Sequence, residues 1–256
     1  MASIGSLLVI ELCGILVGFT LALTGSGGST LGIPLLLYVV GIDDMHLVIG
    51  TSALALSVNA YTSLIPHARA GNVLWRDGIL FALTGVAGAL AATELGKRVD
   101  SDTLIILFAI LMLAVAAVMF HRSTQQPDNN LTRHVNHRKL RLTSTGLASG
   151  TVAGFFGVGG GFIIVPSLIL ATRMTTAKAI GTSLVGVGSF GLATAFSYAH
   201  AGWVDWPLAG KFIVGGIFGG WLGALTVKKL SAKKGMLDRI FSVMLVSIAL
   251  YMMATF

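Results

Sequence analysis

One glycine-rich pattern occurs twice in this chain, as GSGGSTLGIPLL at residues 25–36 and as GVGGGFIIVPSL at residues 157–168. Each copy lies inside a stretch of 31 residues without a charge, 12–42 and 142–172. Two full membrane crossings would need about 40 residues and a single crossing about 20. Each stretch therefore predicts a helical hairpin that enters the membrane partway and returns, with its turn at the glycines.

Composition places the whole chain in a membrane. Of its 256 residues, 55% are hydrophobic and 11% are charged, and the mean hydropathy is +0.87. Soluble domains carry about 25% charged residues, so a soluble enzyme and a disordered regulator are both excluded. Apolar segments recur along the entire chain, which excludes a single-span anchor. A single cysteine, Cys13, excludes an internal disulfide and a cysteine-rich metal site.

The apolar segments are continuous rather than alternating, which indicates a helical bundle and not a barrel. Two of them, near residues 29–41 and 161–172, are too short to cross alone and form the returning arms of the hairpins. We predict an all-α polytopic membrane protein. The longer candidate spans lie near residues 3–23, 46–66, 78–96, 103–120, 142–156, 179–200, 207–227 and 239–256.

The two glycine patterns belong to a longer internal repeat. Gly25 matches Gly157 at an offset of 132 residues, and after one residue is lost in a loop the sequence IGTS at 49–52 matches IGTS at 180–183. The polar stretch 122–141 separates the two copies. We predict a first transmembrane repeat over residues 1–121, a linker over 122–141 and a second repeat over 142–256.

Positive charge predicts the orientation. Fourteen of the 17 Lys and Arg residues fall in loops on the same side as the linker, whereas only Lys97 and Arg98 fall in loops on the other side. The positive-inside rule then places the linker in the cytoplasm and both termini outside, in a multi-pass protein of the plasma (inner) membrane. The equivalent loops at Lys97 and Lys228 take opposite sides, so the repeats are inverted. Topology also accounts for the net charge of +7, so nucleic acid is not the expected partner.

The second, shorter helix of each hairpin starts at its glycines and directs free N–H groups and a positive dipole end into the protein. Two such helix starts form an anion site without a buried cation, and two prolines, Pro34 and Pro166, are predicted hinges. The alternative is that the glycines only allow tight helix packing. The predicted binding residues at the turns are Gly25, Ser26, Gly27, Gly28, Ser29, Thr30, Gly157, Gly159, Gly160 and Gly161.

Six further polar residues within apolar segments are candidates. Asn59 either binds the substrate or bonds a neighbouring helix. Glu11 either carries a coupling proton or lies near the headgroups. The hydroxyls of the repeated IGTS sequence either bind the substrate or bond to carbonyls of their own helix; they belong to Thr51, Ser52, Thr182 and Ser183.

The patterns Gly25-x-Gly27-Gly28-Ser29-x4-Pro34-x-Leu36 and Gly157-x-Gly159-Gly160-Gly161-x4-Pro166-x-Leu168 resemble the repeated signature of the TauE/SafE sulfite exporter family, also called the 4-toluene sulfonate uptake permease (TSUP) family. The resemblance covers nearly the whole chain. It implies transport of small sulfur-containing anions such as sulfite, thiosulfate or organosulfonates similar to sulfoacetate. The first copy departs from the signature by having Ser29 where the second has Gly161.

The expected function is therefore secondary anion transport by alternating access. An ATPase is not expected, since the chain has no G-x4-G-K-[ST] sequence. An anion channel of the same architecture is the nearest alternative. An intramembrane enzyme is a more distant one, because it would need a nucleophile–base pair or a metal cluster in the bilayer. No cofactor or metal is expected, and the expected partners are the anion, the lipid bilayer and a coupling proton or ion.

Overall fold

The structure is a computed structural model that describes residues 4–25, 27–123, 138–157, 159–230 and residue 246. These residues form nine α-helices and no strand, which confirms the all-α prediction. A π-helical segment, Leu35–Val39, continues the second helix. The helices are α1 (Ile4–Thr24), α2 (Gly27–Pro34), α3 (Met45–Arg69), α4 (Trp75–Gly96), α5 (Ser101–Ser123), α6 (Arg138–Phe156), α7 (Gly161–Thr172), α8 (Thr176–His200) and α9 (Trp206–Leu230).

Within the described residues, four helices are long and apolar enough to cross a membrane: α3, α4, α8 and the part of α9 up to Leu225. Shorter apolar helical stretches at Thr30–Val39 and Ile163–Thr172 coincide with the two predicted returning arms. Helix α5 extends to Ser123 and α6 begins at Arg138, so both ends of the predicted linker 122–141 are helical. Most of the predicted linker, the predicted span at 239–256 apart from residue 246, and both chain termini lie outside the described residues.

The long helices α3 and α8 end with the same backbone motif because each is followed by the sequence Ala-Gly. After α3, the N–H of Gly71 donates to the Ala68 carbonyl, and the N–H of Asn72 donates to the His67 carbonyl, each at 3.0 Å. This is the Schellman motif, which needs a residue at positive φ, and Gly71 has φ +69°. After α8, Gly202 repeats the motif with φ +79°.

Glycines hold two pairs of helices in direct backbone contact. A Cβ on Gly18 of α1 would overlap the carbonyl of Gly216 on α9, and a Cβ on Gly150 of α6 would overlap the carbonyl of Gly85 on α4. In both pairs the contacts advance in the same direction along the two helices, so α1 runs parallel to α9 and α6 runs parallel to α4. Such close approach lets dispersion and interhelical contacts hold helices together where no hydrophobic effect drives them.

The equivalent helices α3 and α8 pack against each other in opposite directions at the centre of the molecule. The Ser57 hydroxyl donates to the Gly188 carbonyl at 2.7 Å, and Gly50 near the start of α3 lies against Tyr198 near the end of α8. Around this pair the packing is reciprocal. Just as α1 packs on α9 and α9 on α3, the equivalent helix α6 packs on α4 and α4 on α8. The buried apolar residues form two clusters, one that includes the first half of α3 and the end of α8 and one that includes the second half of α3 and the first half of α8.

Candidate functional site

The chain turns at both predicted glycine sequences. Helix α1 ends at Thr24 and α2 begins at Gly27, while α6 ends at Phe156 and α7 begins at Gly161. Four turn glycines have left-handed backbone angles that other residues rarely adopt: Gly25 (φ +68°), Gly157 (φ +67°), Gly159 (φ +64°) and Gly160 (φ +64°). Each returning helix packs back on its own hairpin partner, α2 on α1 and α7 on α6.

Each turn is held by the helix of the opposite repeat. Gly25 lies against Ile180 and Ser183 of α8, and the Ser183 hydroxyl is 2.8 Å from the Gly25 carbonyl. Gly157 lies against Ile49 of α3. The first glycine of each turn therefore contacts the IGTS sequence of the other copy. The same hydroxyl of Ser183 is also 2.8 Å from the Ile180 carbonyl of its own helix.

The start of α7 has the geometry expected of an anion-binding helix end. Gly160 is its N-cap residue, and the Gly160 carbonyl accepts hydrogen bonds from the N–H groups of both Ile163 and Ile164. Intrahelical bonding begins there, so the N–H groups before Ile163 point out of the helix end. Helix α2 contacts α7, which brings the two returning helices together inside the bundle. On α2, Thr30 is fully buried.

Several predicted turn residues are only partly described. Gly27 and Gly161 are the first residues of α2 and α7. Gly28 packs against Val17 and Leu21 of α1. Ser26 lies outside the described residues, and the position of the Ser29 side chain is not described either.

The two prolines differ in their local backbone. Pro34 is the last residue of α2, and the helix continues beyond it as the π-helical segment Leu35–Val39. Pro166 lies inside α7, which runs on to Thr172 as an α-helix. A proline lacks the N–H for an intrahelical bond, and widening to a π-helix is one way to accommodate that loss. The predicted hinge at Pro34 thus coincides with a change of helix type, whereas the one at Pro166 does not.

The repeated threonines bind the loops of the opposite repeat. Thr51 Oγ1 accepts a hydrogen bond from the N–H of Asp205 at 3.0 Å, and Thr182 Oγ1 accepts one from the N–H of Leu74 at 3.0 Å. Asp205 and Leu74 directly precede α9 and α4. The Ser52 hydroxyl donates to the Ile49 carbonyl in its own helix at 3.1 Å. In this conformation the four IGTS hydroxyls bond backbone groups, and their role in substrate binding stays a prediction.

Asn59 is a predicted binding residue whose polar side chain is buried without a hydrogen-bond partner among the described residues. Its side chain is fully buried on α3, and neither atom of its amide has a hydrogen-bond partner in the part of the chain that the structure describes. It lies over Gly216 of α9, where a Cβ would overlap the amide. The equivalent position in the second repeat holds Phe190, whose ring lies over the equivalent Gly85 and stacks on Phe81 with centroids 5.9 Å apart.

Two polar neighbours of Asn59 are not among the predicted site residues. Ser63 and His67 follow Asn59 on α3 at intervals of four residues and are also buried. The Ser63 hydroxyl has no partner among the described residues, while His67 Nε2 is 3.2 Å from the Ala22 carbonyl of α1. Regular spacing of polar residues in an apolar helix is the signal that could have identified them.

The two acidic residues of the apolar segments have ordinary surroundings. Glu11 is half-buried on α1, with its backbone against Gly215 of α9. Glu94, at the end of α4, forms an ion pair with Lys97 at 2.6 Å and accepts a hydrogen bond from the Ser197 hydroxyl at 2.7 Å. Within the described ranges, no three His, Cys, Asp or Glu side chains come together as a metal site would require.

A basic pocket of about 640 Å³ opens at the surface between the starts of α4 and α6. Its walls include Arg76, Arg138 and Lys139, and Arg138 is paired with Asp77. The pocket contains none of the predicted binding residues.

Comparison with known proteins identifies relatives along nearly the whole chain. A family model described as "Sulfite exporter TauE/SafE" matches residues 10–252. A probable membrane transporter protein of Xylella fastidiosa is 47% identical over 249 residues, which covers 97% of this chain and 95% of the relative. The probable membrane transporter protein YunE of Bacillus subtilis is 23% identical over 89% of this chain and 91% of its own length. A probable membrane transporter protein of Methanocaldococcus jannaschii is 29% identical over 90% of this chain and 91% of its own length. No solved structure gives a significant match.

Proposed function

The chain belongs to the sulfite exporter TauE/SafE family of membrane transporters, and from this we propose that it is a secondary transporter of small sulfur-containing anions in the plasma membrane. Sulfite, thiosulfate and organosulfonates similar to sulfoacetate are the proposed substrates. All three are compact oxyanions, which backbone N–H groups at a helix start can bind.

The observation that carries the proposal is the pair of broken hairpins. Both hairpins turn at glycines, and α2 and α7 start at these turns and contact each other. A helix start has unpaired N–H groups and a partial positive charge of about half a unit. Two of them can attract an anion strongly enough to bind it, yet without the full charge of a lysine or arginine that would hold it too long. The proposed site comprises the turn residues 25–30 and 157–161.

The packing supports the inverted topology that this site requires. The equivalent helices α3 and α8 are antiparallel, while α1 with α9 and α6 with α4 form parallel pairs. If α3 runs from the outside to the cytoplasm, α8 must run in the opposite direction, and one hairpin then enters the bundle from each side. This arrangement is that of transporters with inverted repeats. It is consistent with a cytoplasmic linker and with both termini outside.

The contacts between repeats suggest how access alternates. Ser183 of the second repeat is bonded to the Gly25 turn of the first, and Ile49 of the first repeat packs on the Gly157 turn of the second. A rigid rotation of one repeat against the other would therefore change the contacts of both turns at once. The change of helix type after Pro34 provides a place where the first hairpin can bend. Glu11 is the proposed residue for a coupling proton.

Reconstitution tests the proposal directly. The purified full-length protein in liposomes is expected to show saturable uptake of sulfite, thiosulfate or sulfoacetate, and accumulation against a gradient when a proton gradient is imposed. An anion channel of the same architecture would equilibrate the anion but would not accumulate it. The absence of any flux of these three anions from correctly inserted protein would contradict the proposed substrate class.

One substitution locates the site. Gly160→Leu is expected to abolish flux, because a side chain at φ +64° strains the turn and crowds Ala153. The matched control is Gly210→Leu at an exposed position of α9, where an added Cβ would meet no atom within 4 Å. Both variants are compared for membrane insertion and for thermal stability in detergent. Full activity of an inserted Gly160→Leu protein would remove the turn from the site.

A further inference from the structure

Three buried polar side chains form a column along one side of α3. Asn59, Ser63 and His67 follow each other at intervals of four residues, so they lie above one another on the same helix face. Their exposed fractions are 0%, 2% and 5%. Among the residues that the structure describes, neither the Asn59 amide nor the Ser63 hydroxyl has a hydrogen-bond partner.

The wall opposite this column is made of glycine backbone. Gly216 on α9 leaves the space that the Asn59 amide occupies, and a Cβ on Gly220, one turn further along, would lie 2.8 Å from Ser63 Oγ. Gly18 of α1 closes the third side against Gly216. The column therefore runs between α1, α3 and α9 towards the end of α3, where Arg69 is exposed.

In the second repeat an aromatic ring fills the space equivalent to the one beside Asn59. At the positions 131 residues later it has Phe190, Thr194 and Tyr198. The ring of Phe190 occupies the space at Gly85, and the Thr194 and Thr93 hydroxyl oxygens lie 3.5 Å apart. The fold can thus close this column with an aromatic ring, and the first repeat does not do so.

Leaving these groups unpaired is costly. A buried amide or hydroxyl without a hydrogen bond loses the hydration it would have in water, and the hydrocarbon around the bundle offers no replacement. Water molecules satisfy buried polar groups of this kind in globular proteins. We propose that Asn59, Ser63 and His67 line a hydrated column that leads from the middle of the bundle to the membrane face at which α3 ends. Resting on the proposed function, we assign it as the route by which the anion enters or leaves the site on that face.

The chemistry of the column suits a passing anion. The Asn59 amide and the Ser63 hydroxyl are neutral hydrogen-bond donors, so they can replace part of a hydration shell without trapping a charge. Arg69 is exposed at the same end of α3 as His67, and a positive charge at that membrane face raises the local concentration of anions. The equivalent column in the second repeat has the ring of Phe190 at its inner end, followed by the hydroxyls of Thr194 and Tyr198, of which the Tyr198 hydroxyl also has no partner among the described residues.

Cysteine labelling tests the hydration without requiring transport. In a Cys13→Ala background, Ser63→Cys and its repeat equivalent Thr194→Cys are reacted with a small membrane-impermeant methanethiosulfonate in oriented vesicles. A thiol in a wet column ionises and reacts, whereas a thiol in an apolar interior is inert. We expect Ser63→Cys to react at least about tenfold faster than Thr194→Cys. It should react only from the membrane face at which the exposed Ala70→Cys is also labelled. Equal slow rates, or equal rates from both faces, would overturn the hydrated column.

Two further measurements complete the test. Asn59→Leu added to Ser63→Cys is expected to slow labelling, since it replaces the innermost donor with an apolar group of similar size. Sulfoacetate is expected to slow labelling of Ser63→Cys, and an unchanged rate in protein that transports sulfoacetate would overturn its use by the anion. If no sulfur anion is transported, the proposed function fails, while the comparison of Ser63→Cys with Thr194→Cys still decides whether the column is wet.

Discussion

Asn59 and Phe190 occupy equivalent positions and show how single residues make the two repeats unequal. The Phe190 ring stacks on Phe81 and fills the space at Gly85, whereas the Asn59 amide is unpaired within the described structure. We expect Phe190→Ala to lower the free energy of unfolding by about 3–5 kcal/mol, because it leaves a cavity where a large ring was packed. Asn59→Ala should cost clearly less. Thermal unfolding of the two variants in the same detergent measures the difference, and equal losses would contradict it.

Thr51 and Thr182 each hydrogen-bond to a loop that is more than a hundred residues away in the sequence. Each accepts one hydrogen bond from a loop N–H that directly precedes a helix of the other repeat. Replacing either by valine leaves that N–H unpaired, so we expect a loss of about 1–3 kcal/mol for each variant. Because the two threonines are near opposite ends of the α3–α8 pair, their effects should add. Serine at the same positions keeps the acceptor and is the control; a valine variant as stable as the serine variant would contradict the role.

At the scale of elements, glycine contacts determine which helices pair. Gly150→Ala should destabilise the α4–α6 pair by about 1–3 kcal/mol, because the new Cβ overlaps the Gly85 carbonyl and the helices must separate. The control Gly210→Ala lies in open space and should be neutral or stabilising by up to about 1 kcal/mol through helix propensity. The two unfolding midpoints are compared in detergent. A Gly150→Ala protein as stable as its control would mean that the pair is not held by close backbone contact.

At the scale of the whole molecule, the proposed topology predicts which loops face which side. In a Cys13→Ala background, Asn129→Cys in the linker should react with an impermeant thiol reagent only from the cytoplasm, and Asp43→Cys only from outside. Spheroplasts and inverted vesicles provide the two sides. Labelling of both cysteines from the same face would exclude the inverted arrangement.

The sequence predicts most of the bundle because its signals are local or repeated. The glycines at 25 and 157 mark the breaks, and the returning arms follow from the length of the uncharged stretches. The partners of Thr51 and Thr182 could not be predicted, because each lies more than a hundred residues away and belongs to the other repeat. Ser63 escaped attention for a similar reason. The four-residue spacing from Asn59 to Ser63 and His67 places it on one helix face, but its contact with Gly220 of α9 follows only from the packing of the two helices.

The pairing of α1 with α9 joins the beginning of the described chain to its end. During synthesis α1 therefore enters the bilayer about 200 residues before its partner α9 is complete. The hydrogen bond between Thr51 and the N–H of Asp205 likewise forms only after residue 205 has been translated. Contacts of such high sequence separation form late. The first repeat therefore stays incomplete in the membrane until α9 has been made. A chain that is terminated before α9 lacks the helix against which α1 packs.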